Sequence, residues 1–254
     1  MSKYNKKKAI CLTFDDGYKN NLNILVPILQ KYKIPATIYV CTKFLEGKGN
    51  AWWFELWDFV KKQESINLDN QFIKKNWVTK TFTQKVVFYS EIKTLIMKLS
   101  IKNRDLLLQK LIQSQKRKNY KHLFLNWNDV IELDKNPLIT IGAHTHSHPV
   151  LKSENYENSY DEIKKSKLLL QQKLGHSIDH FAYPFGSKNE FGFREYDIVK
   201  KLKFKTALTS LCHKPNSKDM LNLPRYGLIE SENLDNILVK INGISNLLKK
   251  HLMV

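Results

Sequence analysis

Short apolar runs alternate with amphipathic helical patterns along most of this chain, and that alternation points to a fold built on a parallel sheet. The runs at residues 9–14, 36–41, 138–143, 178–183, 206–209 and 223–229 are apolar or β-branched and bounded by polar or turn residues, as buried strands are. Between them, residues 21–32 place Leu22, Leu25, Val26 and Leu29 on one face, and residues 156–174 set Ile163, Leu168, Leu169 and Leu170 among Lys and Gln. Residues 195–202 give a shorter helical pattern, and 234–248 close the chain. With 254 residues and this many units, the sequence predicts a barrel or a large open sheet around a sizeable core.

One stretch breaks the rhythm. From about residue 44 to 126 no convincing strand is visible, and helical patterns cover 52–62, 84–99 and 103–117. This reads as a helical insertion within a single domain spanning residues 1–254. Its Trp52, Trp53, Phe54, Trp57 and Phe59 suit the insertion's own core, a sugar-stacking platform or a peripheral membrane contact.

Composition narrows the function classes. Nothing approaches the ~20 consecutive apolar residues of a membrane span. The basic N-terminus is followed by only residues 9–14 before the acidic pair arrives, too short for a signal peptide's apolar region, so a cytoplasmic protein is expected. Cys11, Cys41 and Cys212 are odd in number, and the first two fall in predicted strands, so buried reduced thiols are expected. The net charge of +18 suits an anionic substrate or lipid, but the lysines are spread over nearly every segment. With no Arg-rich arm, paired-Cys zinc module or basic-aromatic interleaving, nucleic acid is not an expected partner.

The chemistry gathers at two strand ends. Asp15-Asp16-Gly17 closes the first strand, and Gly17 permits a tight turn that lets both carboxylates address one pocket, although Asp-Asp-Gly is also an ordinary turn sequence. About 130 residues later, His144-Thr145-His146-Ser147-His148 follows the third predicted strand. His144 and His148 are spaced to face one ion from a loop or single turn, and His146 should point elsewhere. Two carboxylates and two imidazoles are what a divalent metal and a general base require.

In this order, Thr13-Phe14-Asp15-Asp16-Gly17, His144-Thr145 through His148 with Pro149, Phe181-Ala182-Tyr183-Pro184-Phe185-Gly186 and Leu223-Pro224-Arg225 resemble the polysaccharide deacetylase family, which carries the NodB-homology domain and is also called carbohydrate esterase family 4. The third and fourth motifs take the form seen in its branch of poly-N-acetylglucosamine and lipopolysaccharide-linked deacetylases. The resemblance implies an α/β fold, a distorted (β/α)7 barrel, here with the helical insertion between the first two strands and the His-motif strand. It also implies a divalent ion, most often Zn2+, held by Asp16, His144 and His148, with Asp15 as general base and the backbone N–H of Phe185 as oxyanion donor.

The match departs from the pattern in two places. The widespread third motif has an Arg and a Tyr where this chain has Ala182 and Phe185. A backbone donor survives the second change, and Arg225 is the candidate to replace the Arg that orients the base. The family's late acid-donating His is absent from the 223–227 stretch, which leaves His213 and His146 as candidates.

The expected activity is metal-dependent removal of an N-acetyl or other N-acyl group from an amino sugar of a bacterial envelope glycan or a lipid-linked sugar, at the inner face of the membrane. Its rivals are an inactive carbohydrate-binding protein on the same fold and a deformylase or amidase acting on a related substrate.

Overall fold

A computed structural model describes residues 10–112, 118–211, 219–228 and 231–241. Its centre is a curled parallel sheet, a half-barrel with helices around it. The first strand, β1 (Leu12–Phe14), leads through a wide π-helical turn at Asn21–Leu25 into α1 (Val26–Tyr32) and then β2 (Ala36–Val40). Pro27 falls at the junction of that turn and α1 within one continuous helical run, so its missing N–H leaves a gap in the hydrogen-bond ladder where the helix is widened. β1 pairs β2 in parallel, from Leu12 opposite Ala36 to Phe14 opposite Ile38.

The insertion follows. It runs through α2 (Thr42–Leu45), α3 (Trp52–Val60), β3 (Ser65–Asp69), β4 (Lys74–Val78), α4 (Phe82–Ile96) and α5 (Ile101–Leu111). The reading of this segment as strandless is corrected: β3 and β4 form an antiparallel hairpin. Only Ile66, Leu68 and Trp77 of the two strands are buried, so alternation carried by three apolar side chains among Lys, Asn and Asp escapes a search for apolar runs. Asn70 makes the turn, its side-chain oxygen accepting the N–H groups of Phe72 and Ile73. The insertion has its own core, in which Trp52, Leu56, Phe88, Ile92, Leu107 and Leu108 are buried together.

The chain then returns to the sheet through α6 (Trp127–Asp134), a helix that the sequence reading did not anticipate. Its start is fixed by a reciprocal cap, Asn126 accepting the Asp129 N–H and Asp129 accepting that of Asn126. β5 (Ile139–Ala143), α7 (Tyr156–Leu174), β6 (His180–Ala182), α8 (Phe193–Lys201), β7 (Thr206–Leu208) and α9 (Leu234–Ile241) complete the described elements. The strand order is β1-β2-β5-β6-β7, so β1 and β7 are the two edges.

The late strand expected at 223–229 shrinks to one bridge, Leu223 beside Leu208. Leu223 exchanges backbone hydrogen bonds with Ala207 and Thr209, but Pro224 has no N–H to continue the ladder. The seven-strand count is therefore five strands in the parallel sheet among the described residues, while the barrel-like α/β class stands. Residues 229, 242–248 and the expected helix end at 113–117 lie outside the described residues.

Cys41 is buried, but Cys11 is exposed, contrary to the expectation for both. It falls just before β1 begins. Cys212 lies outside the described residues. No described helix is long and apolar enough to cross a membrane.

Candidate active site

The C-terminal ends of β1 and β5 bring the two motifs together. Asp16 and Gly17 both adopt left-handed conformations, φ 70° and 72°, which turn the chain sharply after β1. Asp16 Oδ1 then lies 3.5 Å from Nε2 of His144 and 3.3 Å from Nε2 of His148, and Asp15 Oδ2 lies 3.9 Å from His144 Nε2. Buried as it is, Asp16 Oδ1 has no hydrogen-bond partner among the described residues.

The His loop is not helical. Thr145 and His148 take φ values of 65° and 57°, and the Thr145 hydroxyl accepts the His148 N–H at 3.1 Å. Glu162 of α7 fixes the loop from behind, accepting the N–H groups of His146 and Ser147 and the Ser147 hydroxyl. His144 Nδ1 lies 2.7 Å from the Ala182 carbonyl, which requires the proton on Nδ1 and leaves the Nε2 lone pair for the centre. His148 faces Asp16 through Nε2, while its Nδ1 is buried without a described partner.

His146 points away, as its position between the two predicts. Its Nδ1 lies 2.8 Å from the Thr42 hydroxyl, and burial depresses its pKa to about 4. That engagement removes it from the candidate proton donors at the centre. His213, the other candidate, lies outside the described residues.

Arg225 grips Asp15 with a two-pronged fork, Nη1 to Oδ1 and Nη2 to Oδ2, both 2.8 Å. Nη1 also donates to the Thr13 hydroxyl and Nε to the Thr209 carbonyl. The fork spans 210 residues of sequence and joins the end of β1 to the segment after β7, so a side-chain pair links the two edges of the sheet. Burial works to raise the Asp15 pKa, but the His144 charge and the Arg225 fork outweigh it and hold it below 3.8. Asp16 resists burial in the same way, through His148 and His144, and sits at about 2.

Phe185 stands at the apex of a tight turn closed by a 2.7 Å bond from the Gly186 N–H to the Pro184 carbonyl, with φ 61°. Its own N–H makes no hydrogen bond among the described residues. Its ring meets His148 edge-on at 4.6 Å. Gly186 belongs here because a Cβ would lie 2.6 Å from the Ser210 nitrogen.

Three neighbours were not singled out in the sequence for this site. Tyr18 acts on Asp16 through its hydroxyl, which also accepts the Trp53 indole N–H at 3.1 Å. Trp53 lies 5.6 Å from the His148 ring, so α3 presents Trp52 to the insertion core and Trp53 to the centre. Cys41 joins Asp16 and His144 in a group whose ligand atoms lie within 4.8 Å of one another. Its thiol donates to the His144 carbonyl at 2.9 Å, and burial, reinforced by Asp16, pushes its pKa well above 9.0. A protonated, engaged thiol is a poorer ligand than the neutral His148 imidazole, whose pKa burial lowers to about 4. Tyr18, immediately after Gly17, was the one legible signal.

The donor set fits a divalent cation. An orphaned buried carboxylate oxygen facing two imidazole nitrogens is a poor arrangement for a protein without an ion and a good one around it.

The family described as polysaccharide deacetylase matches residues 2–206 of the chain. No curated protein matches it. Among solved structures, the fold resembles the Streptococcus pyogenes deacetylase PplD in complex with acetate, at TM-score 0.56 and 19% identity over 92% of this chain and 71% of that one. It also resembles a de-N-acetylase from Aggregatibacter actinomycetemcomitans, at TM-score 0.57 and 16% identity over 94% and 77%. The deacetylase domain of BpsB from Bordetella bronchiseptica gives TM-score 0.51 and 16% identity over 85% and 69%. With the family match running from the first motif past the third, the chain belongs to the polysaccharide deacetylase family.

Proposed function

We propose that this chain hydrolyses an N-acetyl or similarly small N-acyl group from an amino sugar of an envelope glycan or a lipid-linked sugar, using a divalent ion, most often zinc in such a donor set. The observation that carries this reading is the orphaned Asp16 Oδ1 between two Nε2 atoms, with a second carboxylate beside it already oriented by an arginine.

In this reading Asp16, His144 and His148 hold the ion, which supplies Lewis acidity and makes water nucleophilic near neutral pH. Asp15 takes the proton from the attacking water. The Arg225 fork keeps that carboxylate in one orientation, and the lowered pKa keeps it ionised. The Phe185 N–H, which makes no hydrogen bond among the described residues, stabilises the negative charge that develops on the acyl oxygen. Phe185 and Trp53 pack against His148 and help exclude bulk water from it. His213 is the remaining candidate to protonate the departing amine. The net charge of +18 suits an anionic, phosphate-linked substrate.

The test is acetate and formate release from N-acetyl and N-formyl amino sugars, with chelator and with metal restored. Release that stops with chelator and returns with zinc supports the proposal. Absence of release from every substrate by the metal-loaded protein overturns it in favour of a binding protein, and release confined to formate makes the enzyme a deformylase.

A further inference from the structure

Beside the metal centre lies a small cavity lined by Trp52, Leu99, Ile101, Val150, Phe185 and His148, with Arg104 of α5 in its wall. Arg104 and His148 are the ionisable side chains among the lining residues. Arg104 is only 5% exposed. Its sole described partner is its sequence neighbour, Asp105, whose Oδ1 accepts from Nε at 3.1 Å. Asp105 is itself 41% exposed and also accepts the Asn50 side-chain amide, so it neutralises the guanidinium weakly.

The nearby buried acid is spent elsewhere. Glu154 accepts the Ile101 N–H and the Asn158 side-chain amide and makes no ion pair with Arg104. Both Nη groups of Arg104 are thus without a protein acceptor among the described residues. The guanidinium charge reaches His148, on which it acts electrostatically. A buried guanidinium with its fork unspent, in the wall of a cavity that His148 and Phe185 also line, is a planar anion receptor.

We propose that Arg104 binds an anionic oxygen group, carboxylate or phosphate, carried by the amino sugar close to its N-acyl group, so that the insertion selects acidic over neutral sugars. Arg225 cannot serve this role, because Asp15 holds both arms of its fork. The inference rests on the reading of the centre as a deacylation site but is tested by binding. The free volume of about 10 Å3 admits a group the size of one water, so the anion enters the cavity by a single oxygen while the rest of it stays at the mouth.

Isothermal titration of the metal-loaded full chain with three amino-sugar products, which cannot turn over, provides the test: glucosamine, its 3-O-carboxyethyl ether and its 6-phosphate. The wild type should bind one or both acidic sugars on the order of 10- to 100-fold more tightly than glucosamine, the range of a charge-assisted hydrogen bond. The tighter arm identifies carboxylate or phosphate. Arg104→Met, which keeps the aliphatic packing, should abolish the preference and leave glucosamine binding and the melting temperature unchanged. If that variant does not fold, Arg104→Lys decides, since it retains the charge but loses the fork and should weaken the preference. Equal binding of all three sugars by the wild type, or a preference that survives these substitutions, overturns the proposal. Failure of deacylation with the preference intact overturns the hydrolase reading and leaves this one standing.

Discussion

Two neighbouring carboxylates at the end of β1 have different partners, an arginine fork for Asp15 and two imidazoles for Asp16, and the proposed roles follow from that difference. Asp15→Asn keeps the three metal donors but lacks a base, so bound metal should be retained while kcat falls on the order of 100-fold or more. His148→Ala should lose metal and activity together, read by metal content after gel filtration. Equal metal loss in Asp15→Asn would mean the two roles are exchanged. The centre also fixes a pH response. Burial tends to lower the His144 pKa, but Asp15 and Asp16 outweigh it and raise it above 6.5 in the metal-free protein. Protons therefore compete with the ion at His144, and apparent metal affinity should fall about tenfold per pH unit below that raised pKa. Asp15, held below 3.8, stays ionised throughout, so an acid limb in activity should track metal occupancy rather than protonation of the base. Adjacency and spacing made Asp15, Asp16, His144 and His148 legible in the sequence. Trp53 and Cys41 were not, because neither points to this site until the fold carries it there, and Tyr18 was marked only by following Gly17.

Glycine shows how the elements hold that centre. A Cβ on Gly142 of β5 would lie 2.5 Å from the Tyr39 ring of β2, and the Arg225 guanidinium sits 5.9 Å from the centroid of the same ring. Gly142→Ala should therefore displace Tyr39 and loosen the Asp15 fork. A cost of roughly 1–3 kcal/mol is expected for such overpacking, which for a chain of this size lowers the melting temperature by several degrees. Its diagnostic is a fall in kcat with metal content unchanged. Strand and helix positions in the sheet were readable because parallel strands buried on both faces are continuous apolar runs. The β3–β4 hairpin and α6 were not. The first buries only alternate residues, and the second depends on a polar cap at Asn126 more than on a long apolar stripe. The sequence also extended the last strand through Pro224, where the chain leaves the ladder so that Arg225 can reach Asp15.

At the scale of the molecule there are two main cores, one under the sheet and one inside the insertion. Leu108, fully buried in the second, should cost about 2–5 kcal/mol when replaced by Ala. Hydrogen exchange should then accelerate across α3–α5 while β2 and β5 keep their protection; uniform acceleration would show that the two cores unfold as one. A rise in KM with ionic strength for a phosphate-linked substrate, absent for a neutral one, would show that the net charge of +18 steers binding. The family resemblance made the barrel-like class and the candidate metal centre readable at this scale, but not the placement of Trp53 and Arg104 beside His148, since neither residue belongs to a motif of that resemblance. The clasp between Asp15 and Arg225 carries a further consequence for biosynthesis. Asp15, Asp16 and both ligand histidines leave the ribosome long before the arginine does, so a nascent chain can gather metal donors while its base still swings freely. On the proposed reading, competence should arrive only after Arg225 has emerged, and a chain cut before that residue should bind metal without hydrolysing substrate.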